Sequence, residues 1–121
     1  MKPKDRETIP SVDEVLRDAA AICDPEGGDT VITALIESRE DDDRPVTAVE
    51  DLTGELLETV RAIDAEDPAG LATVAAACWL ATNPGQAHQG EHVLREGVRV
   101  LFQGEPPPQL GDWLAERGVS L

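Results

Sequence analysis

Apolar residues return along most of this chain at spacings of three and four, the pattern of helices that each bury one face. The first such stretch opens at Ser11, where Ser11 and Glu14 form a capping-box pair. Val12, Val15, Leu16, Ala19, Ile22 and Cys23 then share a face, until Asp24-Pro25-Glu26-Gly27-Gly28 breaks the helix. A second helix, capped by Asp29 or Thr30, carries Val31, Ile32, Leu35 and Ile36 and runs out into the acidic loop Glu40-Asp41-Asp42-Asp43-Arg44-Pro45. A third is expected to open at Thr47, with Glu50 completing another capping box and Val49, Leu52, Leu56, Val60 and Ile63 facing inward.

Asp67-Pro68 reads as an Asp cap followed by proline at the first helical position. The fourth helix, Pro68 to Thr82, carries no charged residue at all and is expected to be the central, buried one. Asn83-Pro84-Gly85 stops it, and a fifth helix follows over about Gly90 to Gln103. Its inward positions are Val93, Leu94, Gly97, Val98, Leu101 and Phe102, with a Glu91 to Arg95 pair outside. Gly104 and the prolines Pro106, Pro107 and Pro108 end it. A last short helix, Leu110 to Arg117, offers Leu110, Trp113 and Leu114 and closes at Gly118, with Val119 placed for a Schellman contact. The expected fold is all-α, a compact bundle of five or six short helices around the 68–82 helix, with residues 1–10 a flexible tail and 11–121 a single domain.

Composition sharpens that picture. Aromatics make up 2% of the 121 residues, so the core must be built from Leu, Val, Ile and Ala, which suits close-packed helices better than a β-sandwich. Against 25 Asp and Glu stand 10 Lys and Arg, a formal net charge of -15. Such a field repels nucleic acid and anionic membranes and attracts a basic protein surface. The only lysines are Lys2 and Lys4, a composition that fits a salt-tolerant protein and a GC-rich coding sequence equally. Cys23 and Cys78 read as small buried hydrophobes rather than as a disulfide framework. No apolar run reaches the ~18 residues that span a bilayer, and the charged start lacks the apolar stretch of a signal peptide, so the expected compartment is the cytoplasm.

Three segments, taken in order, resemble a known family. They are Asp29-Thr30-Val31 with Ile36 and Arg39-Glu40, then Leu71 to Leu80 ending in Ala76-Ala77-Cys78-Trp79-Leu80, then Leu110-Gly111-Asp112-Trp113-Leu114-Ala115-Glu116-Arg117-Gly118. They are similar to the opening helix, the buried Ala-Trp-Leu helix and the closing helix of the uncharacterised bacterial domain-of-unknown-function family 3775. The resemblance runs from about Asp29 to Val119, leaves the first helix as an addition, and departs at Pro106-Pro107-Pro108, where the family has fewer prolines. It implies a small helical domain, brings no known activity and transfers no catalytic residue.

The sharpest candidate chemistry is His88-Gln89-Gly90-Glu91-His92, which matches H-x-x-E-H, a motif in which two His at i and i+4 bind zinc and Glu serves as base. A continuous helix is needed to bring both imidazoles to one metal. Gly90 inside the motif and Asn83-Pro84-Gly85 before it place His88 in a loop, and no third ligand is marked. His88, Glu91 and His92 therefore stand as a candidate metal or small-ligand set beside the plainer reading of polar residues at a helix start. Glu37 to Asp43 and Asp24 to Asp29 are rich in carboxylates but lack the alternating ligands and central Gly of an EF-hand loop, so they read as solvated charge. Cys78 beside Trp79 has no polar flank to activate it. Asp112 and Trp113 are the candidate partner-binding pair, since Trp is enriched at interface hot spots, with packing of Trp113 onto the fifth helix as the alternative. No phosphate loop, Ser-His-Asp set or CxxC pair occurs, so no cofactor and no catalytic residue is assigned. The expected role is a non-enzymatic adaptor or regulatory subunit that meets a basic protein surface or a second copy of itself. A ligand-binding domain built on the histidine motif and a small enzyme of undefined class are the alternatives.

Overall fold

A helix leaves its first N–H groups without partners inside itself, and side chains supply acceptors for them at the first four α-helix starts. The computed structural model describes residues 9–83, 85–86 and 88–119. Helix α1 spans Val12–Cys23, and its Ser11 hydroxyl accepts from the Glu14 N–H while the Glu14 carboxylate accepts from the Ser11 N–H. The N–H groups of Val12 and Asp13 donate to the Arg44 and Asp42 carbonyls at 3.0 and 3.1 Å. The acidic loop is thus the remaining cap of α1. Helix α2, Thr30–Ser38, starts on Asp29, whose carboxylate takes the Val31 and Ile32 N–H groups. Asp24 accepts in turn from Gly28 and Asp29, so the 24–29 segment spends that carboxylate on its own backbone.

Helix α3, Leu52–Asp64, and helix α4, Pro68–Thr82, are capped by Asp51 and Asp67. Helix α5 covers Gly90–Phe102 and helix α6 covers Pro108–Glu116. No strand occurs among the described residues, apart from an isolated antiparallel bridge between Ser11 and Pro45. The architecture is the all-α bundle that the periodicity predicts, with α4 at its centre. Helix α4 packs chiefly against α5 and α1, then α3, α6 and α2, and is buried from Ala69 through Ala77. Thr73 is the one buried polar residue among those described. Its hydroxyl donates to the Ala69 carbonyl at 2.8 Å, so it enters the core with its donor satisfied. Helix α6 closes as a Schellman motif: Gly118 at φ +75° donates to Ala115, and Val119 donates to Leu114 and is buried.

Two helix starts and one inward position differ from the pattern reading. Helix α3 does not open at Thr47, which lies in a single 3₁₀ turn over Val46–Ala48, and Asp51 is the cap in place of a Thr47–Glu50 box. Val46 and Val49 both enter the core from this turn, where Val46 is held by its N–H donating to the Pro10 carbonyl at 2.9 Å. The Asp51 carboxylate then reaches the Gly54 N–H across a space that any Cβ at Gly54 would fill. Ile63 is not inward but 39% exposed, because the whole last turn of α3 from Arg61 to Asp64 projects past its partners. Helix α6 starts at Pro108 rather than Leu110, since the third proline has the φ of a first helical residue and needs no N–H there. Of the tail expected over 1–10, residues 1–8 lie outside the described residues.

Candidate functional site

A helix that is apolar all round should be covered all round, and α4 is, except near its C-terminus. Cys78, Trp79 and Ala81 are only partly buried, and Thr82 is exposed. The cause lies in the neighbours. Helices α3 and α5 flank this end of α4 but scarcely touch one another, which leaves a trough with α4 as its floor.

Helix α5 lies very close to α4 at one point. At Gly97 a Cβ would stand 2.6 Å from the Ala75 carbonyl oxygen and 2.9 Å from its carbon, so only glycine permits this crossing. Beyond Gly97 the helix lifts Val100 and Leu101 to form one wall of the trough, and Val100 is 68% exposed. The opposite wall begins at Thr53 of α3, whose hydroxyl lies 3.2 Å from the Cys78 sulfur. The trough holds about 370 Å³. It shares Thr53, Cys78 and Thr82 with a second depression of about 320 Å³ that is edged by Val49, Glu50, Asp51 and Leu52. Trp79 is steadied from α5 by His92, whose ring meets the indole edge-on with centroids 5.3 Å apart at 86°. Burial pushes the Cys78 thiol above its ordinary value, the Thr53 hydrogen bond opposes this, and the Asp51 charge adds to it. A thiol held neutral in this way packs rather than attacks.

A second cavity, of about 510 Å³, lies where α1 ends and α5 begins, with Cys23, Glu26, Glu91, Leu94 and Arg117 on its walls. The Arg117 guanidinium stacks over Trp113 at 3.8 Å and reaches the Cys23 carbonyl at 3.4 Å. Cys23 is fully buried, and desolvation pushes its thiol up to about 12. Neither cysteine is in a disulfide.

The histidine motif is split by the structure as its glycine suggests. His88 is exposed in the turn before α5, with its Nε2 3.5 Å from the Gln89 amide nitrogen. Glu91 faces outward and pairs with Arg95 at 2.6 Å, while His92 points to Trp79. Among the described residues no group of three or more His, Cys, Asp or Glu side chains is placed to hold a metal ion. Trp113 is 9% exposed and packs in the core beneath Arg117, which does not fit a surface anchor, while Asp112 is exposed beside it. Of the acidic loop's carboxylates, Asp42 is likewise occupied, while Glu40, Asp41 and Asp43 are exposed. Arg44 bridges Asp42 at 2.6 Å and Glu55 at 3.0 Å, and Arg39 stands 3.6 and 3.5 Å from the same two groups. These guanidinium groups, Arg44 foremost, hold the Asp42 carboxyl below the usual carboxylate range.

Searches against family models, curated proteins and solved structures return no match for this chain. The trough residues Thr53, Val100 and Leu101 escaped the sequence reading. Leu101 falls on the inward stripe of α5 and Thr53 carries no signal, whereas Val100, off that stripe, is the apolar residue the pattern can flag.

Proposed function

We propose that the chain is a non-enzymatic helical interaction module, an adaptor or regulatory subunit, that receives a basic protein surface. The observation that carries this reading is the way the cations are spent. Among the described residues, Arg17, Arg39, Arg44, Arg95 and Arg99 are each closed into ion pairs with a neighbouring carboxylate and Arg117 lies on Trp113, while Arg61, in the last turn of α3, is exposed. Asp24, Asp29, Asp51 and Asp67 are taken up by backbone N–H groups, but Glu26, Glu40, Asp41, Asp43, Glu50 and Glu58 are exposed, and in a chain of net charge -15 an unbalanced field of this sign favours encounter with a cationic surface. A second copy carries the same charge, which disfavours self-association through the acidic face. Nucleic acid and anionic membranes are disfavoured for the same reason, and no helix among the described residues is long and apolar enough to cross a bilayer. We assign the protein to the cytoplasm. We also propose kinship with domain-of-unknown-function family 3775 over about Asp29 to Val119. Its support is the order of the Asp29-capped helix, the Ala-Trp-Leu helix and the Gly-Asp-Trp helix.

The test is co-purification of the tagged chain from its source organism at low and high salt. A basic protein retained at ~0.05 M NaCl and lost at ~0.5 M is the expected result, because screening over this range shortens the reach of surface charge several-fold. Retention of an acidic protein insensitive to salt, or of nucleic acid, would overturn the reading.

A further inference from the structure

We propose that the trough between α3 and α5 is the seat of the partner, and that the partner enters it as one amphipathic helix with an apolar stripe and lysine or arginine on its flanks. This rests on the reading of the chain as a module for a basic partner and specifies its form.

Three observations converge. The first is cover: α4 carries no charge along its whole length and is hidden from Ala69 through Ala77, yet Cys78, Trp79 and Ala81 are left partly open. The second is shape. The trough and its neighbouring depression share three side chains, so together they reach from Val49 and Leu52 to Val100 and Leu101, room along which a rod can lie. Its floor on α4 includes Cys78 and Ala81, small enough for another helix to come close, and Trp79 beside them with Val100 and Leu101 of the α5 wall gives apolar contacts for side chains spaced at i, i+3 or i+4, and i+7. The third is charge. Glu50 and Asp51 are exposed at one end of the trough, while the nearest cation in sequence to its far wall, Arg99, is tied to Glu96 at 3.1 Å. An apolar floor edged by carboxylates matches a helix that is apolar on one side and basic on the other. A second copy would bring another -15 to the same edge.

The experiment uses the full chain and two peptides of leucine and lysine, each about 18 residues or five helical turns long. One has its leucines at helical spacing, and the other is a scramble of the same composition. Binding is followed at ~0.05 M NaCl by anisotropy and by the indole N–H resonances, of which the two tryptophans give two. The variants are Val100→Asp and Thr82→Glu, both at exposed positions and each adding one negative charge. Attraction by charge alone would hold or strengthen in them, whereas docking in the trough would weaken.

The expected result is that the helical peptide binds roughly tenfold or more tighter than the scramble, and that each variant lowers its affinity by a similar factor. The Trp79 indole signal should move while that of Trp113 stays. Equal binding of both peptides with no effect of either variant would overturn the trough and leave the acidic-face reading standing. Failure of both peptides to bind would overturn both. Self-association of the chain that Val100→Asp disperses would assign the trough to a second copy and overturn the proposal.

Discussion

Replacing Gly97 by alanine sets two magnitudes of opposite sign against each other. In an exposed helix interior the change should stabilise by up to ~1 kcal/mol, the intrinsic preference of Ala over Gly. At Gly97 the new Cβ would lie 2.6 Å from the Ala75 oxygen, 2.9 Å from its carbon and 3.3 Å from the Ala76 nitrogen. Ordinary contact begins near 3.4 Å, so α5 must retreat by about 0.8 Å. The obstacle is backbone, and α4 is pinned on its other faces by α1, α3 and α6, so the strain cannot be shed by a rotamer change. Overpacking costs ~1–3 kcal/mol, and against immobile backbone the upper part of that range, ~2–3 kcal/mol, applies; after the ~1 kcal/mol propensity gain a net loss of ~1–2 kcal/mol remains. At about 4 °C per kcal/mol for a domain of this size, the melting temperature should fall by roughly 4–8 °C. The paired control is Gly111→Ala in α6, where the added methyl meets nothing within 4 Å and the melting temperature should rise by a few degrees, up to ~4 °C. Thermal melts followed at 222 nm, with urea midpoints at constant slope, give both shifts. A Gly97→Ala protein as stable as wild type would refute the close crossing of α4 and α5, and with it the shape of the trough.

The Cys23 thiol is held neutral by burial, with a folded-state value of about 12 against 9.0 in water. Its stabilising contribution is therefore complete below pH 9 and lost as pH climbs from 9 toward 12, at up to ~1.4 kcal/mol per pH unit. Urea unfolding at stepped alkaline pH should show this slope, and Cys23→Ala should remove it; an unchanged slope would assign the alkaline loss to other groups. Val74→Asp should leave the chain unfolded by circular dichroism, since Val74 is fully buried in α4 and an unpaired buried charge costs several kcal/mol, on the order of the whole stability. The melting temperature should rise between ~0.01 and ~1 M NaCl, as the Debye length shrinks from ~30 to ~3 Å and relieves self-repulsion; a flat curve would mean the carboxylates are balanced locally. Dialysis against a chelator should leave the melt unchanged, whereas stoichiometric zinc lost in a His88→Ala, His92→Ala double variant would restore the metal-site reading.

Local chemistry proved sufficient wherever a structural feature is decided within one or two turns of chain. Ser11 with Glu14, Asp29, Asp67 before Pro68, and Gly118 before Val119 act through hydrogen bonds to N–H or carbonyl groups a few residues away, so their roles are legible in order alone. The apolar run of α4 likewise marks a helix with no face fit for water. Features that depend on which elements meet were not legible. Thr47 with Glu50 is a sound capping pair locally, yet Asp51 supplies the cap because Val46 and Val49 are drawn into the core of a bundle that exists only when folded. Ile63 keeps its helical spacing but has no neighbour to cover it. Whether Trp113 faces a partner or packs inward is decided by Arg117 lying across it, and the direction of His92 by Trp79, which meets it from another helix. The trough is the extreme case. Its walls come from α3 and α5, its floor from α4, and its existence from the near absence of contact between the first two. Periodicity reports the face a helix buries, but whether two neighbours close over that face is set by crossing geometry, here by the one glycine that lets α5 rest on the backbone of α4.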